Sequence, residues 1–144
     1  MTHYSIQKMA TLLNISKQTL RYYDTLGLVS PMRKENNYRY YTEQDKDDLT
    51  CILLLKIGGF TLEETALILK NRRNIASPEK SLENSKQLLH HKKHELSRKI
   101  SSLQGIVALM ETIMVSLDQQ DNCSEINALV NQLYTSILEN GKEL

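Results

Sequence analysis

Tryptophan is absent from this 144-residue chain, phenylalanine occurs once, and there are only two cysteines. Cys51 and Cys123 are too few and too distant for a disulfide framework, and read as free thiols of a reducing compartment. No apolar run approaches the roughly 20 residues that span a bilayer. The N-terminus lacks a charged-then-apolar leader. These absences point to a cytoplasmic chain with no membrane partner. No phosphate-binding glycine loop, zinc-ligand spacing or nucleophile–base grouping is evident, so neither an enzyme nor a bound cofactor is expected. A content of 40% apolar and 24% charged residues argues against wholesale disorder. The length allows one medium domain, or a small domain with an appendage.

The aromatic residues that are present are concentrated. Five of the seven tyrosines (Tyr22, Tyr23, Tyr38, Tyr40 and Tyr41) fall in one short window, where Arg-Tyr-Tyr occurs twice, at Arg21-Tyr22-Tyr23 and Arg39-Tyr40-Tyr41. A guanidinium can clamp a phosphate or a guanine edge with paired hydrogen bonds. A phenol can pack through its ring and still donate to a phosphate oxygen. Charge follows the same bias. Residues 1–41 carry six Lys/Arg against Asp24 and Glu35, whereas residues 74–144 carry seven against nine acids. A cationic front on a chain of net charge +1 suits local phosphate neutralisation.

Local patterns predict a helix capped by Ser5 with Ile6, Met9, Ala10 and Leu13 on one face. A break follows at Asn14-Ile15, then a second helix capped by Ser16 with Leu20 and Tyr23 inward. Gly27 ends it in the left-handed conformation. With Lys17, Gln18 and Arg21 outward, this is a helix-turn-helix arrangement. Arg33-Lys34-Glu35, the turn-forming Asn36-Asn37 and the β-favouring run Tyr38–Thr42 predict a basic hairpin, or wing. Thr42 caps a helix buried through Leu49, Ile52 and Leu53 and ended by Gly58-Gly59. Thr61-Leu62-Glu63-Glu64 forms a capping box for the next, with Ala66 and Leu69 inward. Cys51 belongs to the packing of the first of these two helices.

After the break at Ser77-Pro78 the period becomes seven. Leu82, Leu89, Leu96, Leu103, Met110 and Leu117 hold successive heptad positions, with Ile106 and Ile113 at the complementary one. Such a helix runs roughly 50 Å, too long to bury its stripe on so small a domain, and so needs a partner, most simply a second copy of itself. After a polar break, Ile126, Leu129, Val130, Leu133 and Ile137 predict a last short helix. The expected division is 1–73 for the winged domain, 74–78 for a linker, 79–117 for the dimerisation helix and 118–144 for a loop and short helix.

Together these parts resemble the MerR family of bacterial transcription regulators. The matching residues are Tyr4-Ser5-Ile6, Thr19 to Asp24, Gly27-Leu28, Asn36 to Tyr41 and Ile57 to Glu64, about the first half of the chain. Where the family commonly has Asn-Gly in the wing, this chain has Asn37, a residue tolerant of positive φ. The resemblance implies a mainly α fold: a winged helix-turn-helix DNA-binding domain, a long antiparallel coiled-coil dimerisation helix and a short C-terminal helix. It sets Ser16, Lys17, Gln18, Arg21 and Tyr22 on the recognition helix, Tyr38, Arg39 and Tyr40 in a phosphate-gripping wing, and Lys56 beside the capped start of the Thr61 helix. It implies a homodimer on a two-fold symmetric promoter operator in double-stranded DNA, with RNA polymerase at the same promoter. Regulation would act through DNA distortion, an energy of several kcal/mol, about the range for bending a binding site.

Family metal sensors use cysteines near both ends of the dimer helix. Here Ala76-Ser77-Pro78 offers no thiol at the start and Cys123 stands alone at the end, so no metal site is expected. Cys123 reads either as an inert thiol or as a redox or electrophile sensor. His90, His91 and His94 face away from the leucine seam among lysines and read as a solvated face. An effector-independent architectural DNA-binding protein with the same winged domain is the alternative function.

Overall fold

The computed structural model describes residues 2–73, 77–119 and 124–140. The chain divides into two compact units, one up to Leu89 and one from His90 onward. Cys123 lies outside the described residues.

The first unit opens with a short strand β1 (Tyr4–Ser5) that runs into helix α1 (Ile6–Leu13). Ser5 caps α1, its hydroxyl accepting the Lys8 amide at 3.2 Å. Asn14 ends the helix at φ 52°, a left-handed conformation that asparagine tolerates better than most residues. Ser16 caps α2 (Lys17–Thr25) in the same manner, accepting the Thr19 amide at 3.0 Å. Gly27, at φ 71°, turns the chain out of α2. Strands β2 (Met32–Arg33) and β3 (Arg39–Tyr41) form the wing. Asn37 occupies its turn at φ 62°, its amide donating to the Lys34 carbonyl at 2.8 Å.

The wing is not a free hairpin. Strand β1 adds to its other side, so β3 is the central strand of a three-stranded antiparallel sheet ordered β1-β3-β2. Tyr4 pairs with Tyr41, Met32 with Tyr40, and Arg33 with Arg39. A two-residue strand has too little periodicity to be seen in sequence, and β1 forms only because β3 is there to pair with it.

Helices α3 (Glu43–Ile57) and α4 (Leu62–Arg73) complete the domain. Thr42 and Asp45 cap α3 reciprocally, and Thr61 and Glu64 do the same for α4. The core gathers Met9, Ala10, Leu20, Tyr23, Leu28, Val29, Tyr41, Leu49, Ile52 and Leu69, with Cys51 and Ala66 packed at its edge. One buried charge sits among them. Asp48 is 1% exposed and accepts from Arg73 Nε at 2.8 Å and from Arg72 Nη1 at 3.4 Å.

Helix α5 (Glu79–Gln119) begins within the first unit, where the Asn71 side-chain amide donates to the Ser81 carbonyl at 3.0 Å and to the Ser85 hydroxyl. These bonds explain why the first compact unit reaches to Leu89.

In the second unit α5 lies against α6 (Ser124–Asn140). At Gly105 the helices approach so closely that a Cβ would lie 2.7 Å from Leu133 Cδ1. Arg98 donates to the Asn140 carbonyl at 3.0 Å, satisfying an acceptor at the C-terminal end of α6. Ile106 and Ile113 are half-buried on α5. The apolar residues Leu96, Ile100, Leu103, Val107, Met110, Met114 and Leu117 remain exposed, at alternating spacings of four and three. That alternation is the spacing expected of a coiled-coil stripe.

One 18-residue window of α5 reaches a mean hydropathy of 1.6, long and apolar enough to cross a bilayer by length and composition. No such segment was expected from the sequence. Apolar residues on two faces of one helix, the Gly105 side and the exposed stripe, account for it.

Candidate nucleic-acid interface

Helix α2 turns its apolar residues inward and its polar ones out. Leu20 and Tyr23 are 1% and 2% exposed, while Lys17, Gln18, Arg21 and Tyr22 are all exposed. Lys17 and Gln18 occupy the first turn, the part of a recognition helix that reaches furthest into a groove. The Ser16 hydroxyl is occupied by the Thr19 amide and lies 2.8 Å from the Thr19 hydroxyl, so its first task is to start the helix. Arg21 makes no ion pair among the described residues and leaves its full charge facing solvent.

The wing is fastened to this helix by charge. Arg39 Nε donates to Asp24 Oδ2 at 2.8 Å, and Arg33 Nη2 lies 3.5 Å from the same oxygen. Tyr38, at 72% exposed, projects from the wing. Tyr40 is half-buried: His3 meets its ring edge-on at 4.9 Å, Lys34 Nζ sits 5.7 Å over the ring, and its hydroxyl donates to Met32 Sδ at 3.5 Å. Tyr40 is thus built into the wing's surface, whereas Tyr38 stands clear of it. Tyr41 is fully buried, and burial pushes its phenol up to about 12. The two Arg-Tyr-Tyr runs therefore divide: Tyr23 is inward as helical spacing predicts, Tyr41 joins it in the core, and Arg39 turns back toward α2.

Asp24 as the partner of Arg39 and Arg33 has a weak sequence signal. It follows the first Arg-Tyr-Tyr directly, yet nothing local reveals what it faces 15 residues later in the chain.

Lys56 is exposed in the last turn of α3. The start of α4 is less open to an anion than a capped helix end suggests. The Thr61 amide is taken by the Glu64 carboxylate at 2.8 Å and the Glu64 amide by the Thr61 hydroxyl, with Glu63 beside them.

Of the positions singled out for dimerisation, Leu89, Leu96, Leu103, Met110 and Leu117 are exposed, and Leu82 is half-buried. Ile106 and Ile113 are half-buried instead, flanking the side of α5 on which Gly105 meets Leu133. Ile100, Val107 and Met114, four residues beyond Leu96, Leu103 and Met110, are exposed on α5 as well. Both sets are apolar, and only α6 distinguishes the covered one. His90, His91 and His94 are exposed, with His91 Nε2 3.3 Å from Glu95. Among the described residues no group of three or more His, Cys, Asp or Glu side chains could hold a metal ion.

A helix pair with an exposed cationic second helix, a basic wing tied to it and a second helix pair behind define a winged helix-turn-helix DNA-binding protein. Residues 4–72 match the family described as MerR HTH family regulatory protein. The chain is 31% identical over 128 residues to the HTH-type transcriptional regulator CueR of Vibrio cholerae, covering 87% of this chain and 90% of that one. It is 32% identical over 119 residues to the multidrug-efflux transporter 2 regulator of Bacillus subtilis, but spans only 40% of that relative's length. In fold it is similar to HiNmlR, a MerR family regulator lacking the sensor domain and bound to promoter DNA, with a TM-score of 0.70 at 23% identity over 89% of this chain and 96% of that one. A putative MerR family transcriptional regulator from Listeria monocytogenes gives a TM-score of 0.66 at 21% identity, covering 96% and 99%. The chain belongs to the MerR family of DNA-binding transcription regulators, which are not enzymes.

Proposed function

We propose that this chain is a cytoplasmic, homodimeric regulator that binds a two-fold symmetric promoter operator and alters the shape of the DNA for RNA polymerase in response to an effector. The observation that carries the DNA-binding part is the free polar face of α2, with Lys17, Gln18, Arg21 and Tyr22 exposed beside a wing that Asp24 fastens to the same helix. Lys17, Gln18 and Arg21 would meet base edges or phosphates in the major groove, with the Ser16 end of α2 foremost. Tyr22, Tyr38, Arg39, Tyr40 and Lys56 would hold the flanking backbone. Dimerisation rests on the exposed Leu96-to-Leu117 stripe, whose 4-3 spacing fits a second copy of the same helix.

The test is footprinting on operator DNA selected from a random pool, followed by transcription from a promoter with an over-long spacer. Protection of two symmetric half-sites together with effector-dependent output supports the reading. Protection with unchanged output under every effector tried would identify an architectural protein instead.

A further inference from the structure

Arg33 and Arg39 are directly opposite each other across the β2–β3 ladder. Like charges so placed repel. One carboxylate answers both: Asp24 Oδ2 accepts from Arg39 Nε at 2.8 Å and lies 3.5 Å from Arg33 Nη2. A second tie holds Arg33, whose Nη1 donates to Asn37 Oδ1 at 3.2 Å. The Asp24 side chain is 16% exposed, against 44% for Arg33 and 26% for Arg39. A sheltered anion holding two more accessible cations is screened little by salt at contact range. The cationic surface therefore has two classes of charge. Lys17 and Arg21 make no ion pair among the described residues, whereas Arg33 and Arg39 are committed to Asp24.

We infer that Asp24 is a positioning residue that sets DNA specificity, withholding Arg33 and Arg39 from loosely docked phosphates and yielding them to a phosphate seated against α2 and the wing together. The inference rests on the reading that this face binds duplex DNA. Non-specific binding grows with the number of phosphates neutralised, each adding about 0.9 to the slope of log affinity against log salt. A guanidinium already paired with a carboxylate adds little to that number. A phosphate displaces the carboxylate only at hydrogen-bonding distance, because the charge-assisted bond is strong and short-ranged. Such contact requires α2 to be in its groove. Asp24 accordingly penalises binding to random sequence more than binding to a well-fitted site, and specificity is the difference between the two.

The experiment is fluorescence anisotropy with the full chain across a salt series, on a random-sequence duplex and on a duplex that the wild-type protein has selected from a random pool. Asp24→Asn keeps an oxygen for Arg39 Nε but removes the charge. Random-duplex affinity should rise about tenfold at low salt, with a slope steeper by about 1 to 2, while the selected duplex gains less. In a background of Arg33→Gln with Arg39→Gln, Asp24→Asn should give no gain. A gain of full size there would mean that only net charge had changed and would overturn the inference. Unchanged slopes for Asp24→Asn in the natural background would overturn it too. If Asp24→Asn melts too low to assay, Arg33→Gln alone decides: it should weaken the selected complex and leave the random-duplex slope unaltered. A flatter random-duplex slope for that variant would show that Arg33 was never withheld. Failure of the wild-type protein to bind either duplex would sink the DNA-binding reading itself, and this inference with it.

Discussion

Tyr41 is fully buried in the core of the first unit, and no partner among the described residues reaches its hydroxyl. A buried polar group without a partner costs stability relative to an apolar one of the same shape. Tyr41→Phe should therefore stabilise the protein by about 1 kcal/mol, read as a higher midpoint in urea. Because burial raises the phenol from 10.0 to about 12, the folded state holds this proton more tightly than the unfolded state does. Its contribution is complete below pH 10.0 and is lost as pH rises through about 12. In a phenolate absorbance titration Tyr41 should ionise last or only with unfolding, and the Phe variant should lack that step. Asp48 is the opposite case, a buried charge with its partners present. Asp48→Ala leaves Arg72 and Arg73 unpaired at the end of α4. The arginines are 46% and 39% exposed, so the loss should be about 2 kcal/mol, below the full cost of breaking a buried pair.

Among the elements, the three-stranded sheet and the α5–α6 pair depend on contacts distant in sequence. Strand β1 is tied to α3 by the Tyr4 hydroxyl, which donates to Glu43, with Lys46 also bonded to that carboxylate at 3.1 Å. The Tyr4 bond first, and Lys46 second, hold the Glu43 carboxyl below its ordinary 4.5. The folded state thus favours the ionised form. This contribution is complete above about pH 4.5 and disappears as pH falls through the lower folded value. The stability difference between the natural chain and Tyr4→Phe should accordingly shrink in urea titrations as the pH is lowered below 4.5. For the α5–α6 pair, Gly105 is the sensitive point. Gly105→Leu would drive a side chain into Leu133 and should cost about 1–3 kcal/mol, the usual range for overpacking, with the loss confined to the second unit in hydrogen exchange.

For the whole molecule, the exposed stripe on α5 decides the assembly we propose. Leu103→Glu combined with Val107→Glu places two charges in the seam and should raise the dimer dissociation constant at least about 100-fold, with operator binding lost together with the dimer. Sedimentation velocity checks this directly. A double variant still dimeric at micromolar concentration would exclude the Leu96-to-Leu117 stripe as the interface.

Much of this was readable from residue order. Caps at Ser5, Ser16, Thr42 and Thr61, the left-handed Gly27 and the tolerant Asn37 act over three or four residues. Their chemistry is therefore written locally. The inward Leu20 and Tyr23 follow from helical period alone, and the family follows from the order of the motifs. Tertiary structure decided what lies across from what. It added β1 to the wing, gave Asp24 its two arginines, sheltered Asp48 beside Arg72 and Arg73, and separated Ile106 and Ile113 from Ile100, Val107 and Met114. Each of these depends on a partner brought close only by folding, and a heptad of apolar residues cannot tell which side a neighbouring helix will cover. Local backbone preference is a property of the chain; burial and charge pairing are properties of the space it encloses.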